Sequence, residues 1–181
     1  MVSVVIINGL GGSGKSTFCQ ECVKAGSERE DLVVAELSTV DFVKGIAQQC
    51  GWDGGKTQED RIFLSDMKNA MTKWRNLPIR KVFDRIEEIV DQEKDYLFFV
   101  NSREPEDHAE IRRMARANGY NVIAIKINNP NIESNEVPEL VEGINSCKYE
   151  MEINNDGSLE DLRKKARVFV EMNGGLYDLF R

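Results

Sequence analysis

Val2–Thr17 reads VSVVIINGLGGSGKST, and the junction inside this stretch decides the fold. VSVVIIN, Val2 to Asn8, is a β-branched run closed by glycine, the pattern of a strand buried on both faces in a parallel sheet. Gly9 to Ser16, GLGGSGKS, then matches G-x-x-x-x-G-K-[ST] in full, and a helix is expected from about Lys15 to Ala25. The glycines let the backbone turn so tightly that successive N–H groups point at one anion. The helix that starts there adds a partial positive charge of roughly half a unit. The expected ligand is therefore a phosphate chain, cradled by Gly9, Gly11, Gly12, Ser13 and Gly14, with Lys15 reaching its β and γ groups. Ser16 offers its hydroxyl to Mg²⁺, a hard cation that takes few protein ligands and keeps waters; Thr17, next in the same turn, is counted with the site. A merely connecting glycine-rich turn is the alternative, and the complete motif in its strand-to-helix setting speaks against it.

Outward from this junction, strands and helices alternate. DLVVAEL (Asp31 to Leu37) reads as a second strand, and STVDFVKGIAQQC opens the helix after it with capping residues. From Thr57 to Trp74, Phe63, Met67, Ala70, Met71 and Trp74 form one helical stripe. Val82, Phe83, Ile86, Ile89 and Val90 form another after Pro78. DYLFFVN (Asp95 to Asn101) is the third strand, Glu106 to Asn118 a helix and NVIAIKI (Asn121 to Ile127) the fourth strand. Asn128 to Glu139 is read as loop. KYEMEI (Lys148 to Ile153) is a last short strand, and a helix runs from Ser158 to about Met172. A parallel neighbour needs a long crossover, which each helix supplies. The expected fold is α/β, a three-layer α/β/α arrangement on a five-stranded parallel sheet, with ligands at the carboxyl ends of the strands.

Length and composition bound the rest. At 181 residues the chain is expected to form one domain, 1–173, with 174–181 as a C-terminal tail. Its net charge of −7, from 31 acidic against 24 basic side chains, disfavours a nucleic acid polymer or an anionic membrane as partner. The four cysteines, Cys19, Cys22, Cys50 and Cys147, lack zinc-type spacing and read as free thiols of a reducing compartment. The apolar opening Met1 to Ile7 is too short for a signal or transmembrane segment, so a soluble cytoplasmic protein is expected.

Two further segments point to an acceptor for the phosphate. STVDFVK, Ser38 to Lys44, resembles the S-T-G-D-x-x-R stretch that begins the monophosphate-binding helix in adenylate kinase and its relatives. That resemblance implies acceptor contacts from Thr39, with Asp41 beside it, and places Lys44 where the family has the arginine that grips the monophosphate. Val40 stands for the family glycine, and lysine offers a point charge where arginine would offer a fork. Read without the resemblance, Ser38 is a helix cap, Asp41 a first-turn acid and Lys44 a solvated charge. In FFVNSREPEDHAEIRRMA, Asn101, Ser102 and Arg103 occupy the place of the D-G-x-P-R run that ends the third strand of nucleoside monophosphate kinases, so Arg103 is matched to the acceptor-phosphate arginine. Asn101 cannot supply the charge of the usual aspartate, which leaves Mg²⁺ to Ser16, phosphate oxygens and waters, with Asp41 or Glu104 as outer partners.

With the P-loop, SREPEDHAEIRRMARANGYNVIAIKINNP and NNDGSLEDLRKKA make about half the chain similar to the bacteriophage-type deoxynucleoside monophosphate kinases of the P-loop nucleoside monophosphate kinase superfamily. N-D-G-S-L-E is also plain turn and helix-cap chemistry. By the same resemblance Arg61, in EDRIFLSDMK, belongs to the arginine-bearing helix of the acceptor region; otherwise it is an exposed helix charge. His108 is read as a solvated side chain in an acidic helix start, and Arg112, Arg113 and Arg116 as surface partners of acids. The Asn128 to Glu139 loop, where this family has its lid, contains no arginine, so the missing cation is left to Arg112 or to a neighbouring subunit of a homodimer. The resemblance implies a kinase that uses ATP and Mg²⁺ to phosphorylate a nucleoside or deoxynucleoside monophosphate, with Lys15 and Arg103 as its catalytic residues. A kinase for another small metabolite, or a nucleotide-binding regulatory P-loop protein with little turnover, are the alternatives. A shikimate-type kinase is disfavoured, since no D-x-D follows the second strand and no glycine triplet the third.

Overall fold

The computed structural model describes residues 1–91, 93–132 and 138–173. The expected tail 174–181, and Glu133 and Glu136 of the expected lid loop, lie outside the described residues. Along the chain run β1 (Val2–Asn8), α1 (Lys15–Ser27), β2 (Leu32–Ser38), α2 (Asp41–Gln49), α3 (Gln58–Arg75), α4 (Leu77–Ile89), β3 (Asp95–Asn101), α5 (Pro105–Ala117), β4 (Asn121–Asn128), α6 (Pro138–Ser146), β5 (Met151–Asn154) and α7 (Leu159–Asn173). The strands form one parallel sheet in the order β2-β3-β1-β4-β5. This is the three-layer P-loop fold that the sequence implies.

β1 is central because it is apolar on both faces, and every residue from Ser3 to Asn8 is buried. Its register sets Ile7 against Asn101 of β3 and Asn8 against Lys126 of β4, so the three strands end at one level. The chain folds as two compact units, Met1–Glu36 with Val90–Arg181, and Leu37–Ile89. In the first, Val5, Ile7, Leu97, Phe99 and Ile125 project from one face of the sheet into a core shared with Phe18 and Cys19 of α1 and Leu162 and Phe169 of α7. Phe18 stands edge-on to Phe99 and Phe169, with centroids 6.1 and 5.6 Å apart. On α5, Ile111 and Ala115 are fully buried and the helix packs against β1 and β4.

The second unit consists mainly of helices. Val43 and Ala47 are buried on α2, and Ile79, Val82, Phe83 and Ile86 on α4, as the apolar periodicity of α4 requires. The stripe expected on α3 behaves differently: none of its side chains is buried, and Phe63 and Trp74 are 39% and 67% exposed. That helix is started by a capping box, in which Thr57 Oγ1 accepts from the Asp60 N–H and Asp60 Oδ2 from the Thr57 N–H.

Two expectations from the sequence need adjustment. PELVEGINS, read in part as loop, is helix α6, with Pro138 at its start, where a missing N–H is harmless, and Ile144 buried. β5 begins at Met151 rather than Lys148, because Glu150 turns its carboxylate onto the Ala124 N–H (2.6 Å) and onto Arg112.

Candidate functional site

The glycine-rich loop leaves β1 at Asn8, whose Oδ1 accepts from the Gly9 N–H at 2.8 Å. Gly9 has φ +142°, and a Cβ there would collide with the Ile127 carbonyl oxygen, so only glycine fits where the loop passes β4. Gly14 caps α1 with φ +99°, and a Cβ would collide with the Asn155 amide. That amide donates to the Ser13 carbonyl at 2.9 Å, while the Asn155 N–H donates to Asn128 O at 2.7 Å. Asn155 thus braces the loop from the turn between β5 and α7. The N-D-G-S-L-E run accordingly serves two purposes: Asn155 holds the loop, and Ser158 with Asp161 forms the box that starts α7.

Within the loop, Lys15 Nζ donates to the carbonyls of Gly9 and Leu10, both at 2.7 Å, which keeps the ammonium inside the turn. Gly11, Gly12 and Ser16 are exposed, Gly14, Lys15 and Thr17 half-buried, and Ser13 buried. The lysine is therefore seated in the loop by contacts within the loop itself. Among the described residues no group of three or more His, Cys, Asp or Glu could hold a metal ion. Ser16 remains as an exposed hydroxyl at the start of α1, a hard oxygen donor of the kind Mg²⁺ accepts beside phosphate oxygens and waters. The donor set present fits that ion.

Beneath the loop lies a polar cluster that sequence reasoning missed. His108 is 5% exposed, contrary to its expected solvation. His108, Ile111 and Ala115 stand at i, i+3 and i+7 on the inward face of α5, and that spacing was the legible signal. His108 Nε2 lies 3.2 Å from Ser102 O and 3.3 Å from Asn8 Nδ2, and Nδ1 is buried without a partner among the described residues. A carbonyl only accepts, so Nε2 carries the proton and donates to Ser102. Asn8 Nδ2 then donates to Tyr149 Oη at 2.9 Å, and Tyr149 donates to Ile144 O at 2.7 Å. Burial, the main influence, pushes the His108 pKa down, and Arg112 adds to the effect.

At the carboxyl end of β3, Asn101 Nδ2 donates to Glu36 Oε1 of β2 at 2.5 Å. Arg103, two residues beyond the strand, is half-buried, and its carbonyl lies 3.5 Å from Asn8 Nδ2. This unit therefore carries the glycine-rich loop, Arg103 and Glu36 on neighbouring strand ends. Burial first, then the charges of Glu36 and Cys22, push the Cys19 thiol far up, while Lys15 opposes them. All four cysteines are free, with Cys19 and Cys22 buried. Arg112 pairs with Glu150 at 2.7 Å and Arg113 with Glu110 at 2.6 Å, the acid partners expected for them.

The other acceptor-side candidates belong to the Leu37–Ile89 unit. Thr39 is 2% exposed; Asp41 is exposed and accepts from the Ser38 N–H at 3.1 Å; Lys44 and Arg61 are exposed. α2 is capped at Val40 without a side-chain bond, so Ser38 and Thr39 do not cap it directly. The unit contains a cavity of about 390 Å³ lined by Ser38, Asp41 and Phe42 from the α2 side and by Pro78, Lys81 and Arg85 from α4.

No protein-family model matches the chain, and no curated protein matches it. Solved structures do. The APS kinase CysC of Mycobacterium tuberculosis, in complex with AMPPNP and APS, is 16% identical with a TM-score of 0.55 over 93% of this chain and 97% of that one. The Deinococcus radiodurans tunicamycin resistance protein is 11% identical with a TM-score of 0.55 over 94% and 96%. A hexameric APS kinase from Thiobacillus denitrificans is 15% identical with a TM-score of 0.53 over 96% of this chain and 30% of that one. At these identities the likeness is one of fold.

Proposed function

We propose that the chain is an ATP-dependent kinase whose acceptor is a nucleoside or deoxynucleoside monophosphate. The observation that carries this reading is the complete GLGGSGKS loop at the carboxyl end of the central strand, with Lys15 inside it and α1 beginning beneath it. The donor side follows from local chemistry. Loop amides and the α1 terminus hold the phosphates of ATP, and Lys15 exchanges two neutral carbonyl partners for charged phosphate oxygens, a stronger bond. Ser16 with phosphate oxygens and waters would hold Mg²⁺, which supplies charge neutralisation to the polyphosphate.

The acceptor side rests on the resemblance to the bacteriophage-type deoxynucleoside monophosphate kinases. That resemblance implies acceptor roles for Arg103 of the first unit and, taken by itself, for Thr39, Asp41, Lys44 and Arg61 of the second. A monophosphate acceptor is already substantially ionised near neutrality, so positioning and charge stabilisation are the main demands on the protein. A single kinase domain over 1–173, a homodimer and a cytoplasmic location belong to the same reading. The pairing of Arg112 with Glu150 favours a second reading, a nucleotide-binding regulator with little turnover, because that arginine is already neutralised by a carboxylate.

A coupled assay of ADP formation across the common nucleoside and deoxynucleoside monophosphates, with APS as an additional acceptor, tests the proposal. Turnover that requires one of the monophosphates is expected. Lys15→Ala lowers turnover by about 10²- to 10³-fold, the effect of losing one electrostatic contact at developing charge. Arg103→Ala raises the acceptor's KM more than that of ATP. ADP formation that ignores every monophosphate contradicts the acceptor assignment.

A further inference from the structure

We propose that Glu36, held in place by Asn101, is the carboxylate that orders the water shell of the nucleotide's Mg²⁺, and that the pair replaces the aspartate missing from the end of β3. The inference rests on the nucleotide-binding reading above. Its starting point is position. Leu97 and Phe99 lie in the core beneath α1, and strand alternation carries Asn101, two residues on, to the same face. On β2, Leu32 and Val34 pack against that same core, so Glu36 follows them onto the α1 face at the carboxyl end of the strand. Asn101 is level with Ile7 of β1, two residues before the phosphate loop begins. α1, which begins at Lys15, covers this face of the sheet, since its Phe18 and Cys19 share the core with Leu97 and Phe99.

Chemistry selects Glu36 over the alternatives. A carboxylate has about four acceptor positions, and Asn101 takes one at 2.5 Å, so the amide orients the group while others remain for metal-bound water. An aspartate at 101 would set two negative charges against each other. Asparagine is therefore the neutral donor that Glu36 requires. Asp41, by contrast, accepts from the Ser38 N–H in the other unit, and Glu104 is an exposed residue at the α5 terminus.

Calorimetric titration of ATP, with excess Mg²⁺ and separately with EDTA, reads this role without any turnover. The wild type binds ATP more tightly with Mg²⁺. Glu36→Gln reduces that ratio by about tenfold, the usual scale for a partner beyond the metal's direct ligands, while affinity in EDTA is unchanged or higher. The charge-swapped variant Glu36→Gln with Asn101→Asp keeps one amide and one carboxylate in contact and recovers the ratio. A wild-type ratio in Glu36→Gln, or no recovery in the swap, overturns the proposal while leaving nucleotide binding intact. A wild type that fails to bind ATP under either condition overturns the nucleotide-binding reading and this inference together.

Discussion

His108 is the residue whose environment departs most from its sequence context. Asp107 and Glu106 beside it suggest a solvated, readily protonated imidazole, yet the helix turns it inward onto Ser102 and Asn8. Burial lowers its pKa from the ordinary 6.5, so an unfolded chain takes up the proton at a higher pH than the folded one. The unfolded state then binds more protons below 6.5, and the stability that His108 contributes, complete above that value, is lost as pH falls through this window. Because the chain has 1 histidine, proton–nitrogen correlation NMR reads it without ambiguity. A neutral ring protonated on Nε2 at neutral pH and a midpoint below 6.5 are expected; a midpoint at or above 6.5 contradicts the buried placement. Glu36 was equally hidden. Its position in DLVVAEL marks it only as a strand residue, and its partner lies 65 residues away, a pairing that sheet order alone creates. Lys15 and the loop glycines were legible because the motif that carries them is one contiguous run.

At the level of elements, β1 and β3 were readable to the residue, since β-branched and aromatic runs buried on both faces have sharp polar ends. Helix α6 was obscured by Pro138 and Gly143, which resemble loop chemistry although proline suits a helix start. α3 carries an apolar stripe yet buries none of it, which shows that periodicity specifies a face and not what covers it. α1 is the element that joins core to function: its first turn bears Lys15 and Ser16, and Phe18 anchors it. Phe18 has no exposed surface and meets two aromatic rings. Phe18→Ala therefore costs about 3–5 kcal/mol in urea unfolding, through lost burial and the cavity left behind. A loss below about 1 kcal/mol would show that α1 is held by other contacts.

For the whole molecule, a net charge of −7 means that a polyanionic ligand is attracted only by local features, which the proposed reading assigns to the loop at the end of β1. The fold class was legible because alternating strands and helices admit few topologies. The proposed acceptor side was less so, since Lys44 and Arg61 are exposed cations that nothing in the sequence distinguishes from solvated ones. Phosphorus NMR of the protein with ATP, Mg²⁺ and each monophosphate tests the central claim most directly, because it identifies the bond that is made. The account predicts that the acceptor's monophosphate resonance is replaced by the coupled pair of a nucleoside diphosphate, in step with conversion of ATP to ADP. Inorganic phosphate as the only new product, or a new phosphate ester in place of a diphosphate, would contradict it.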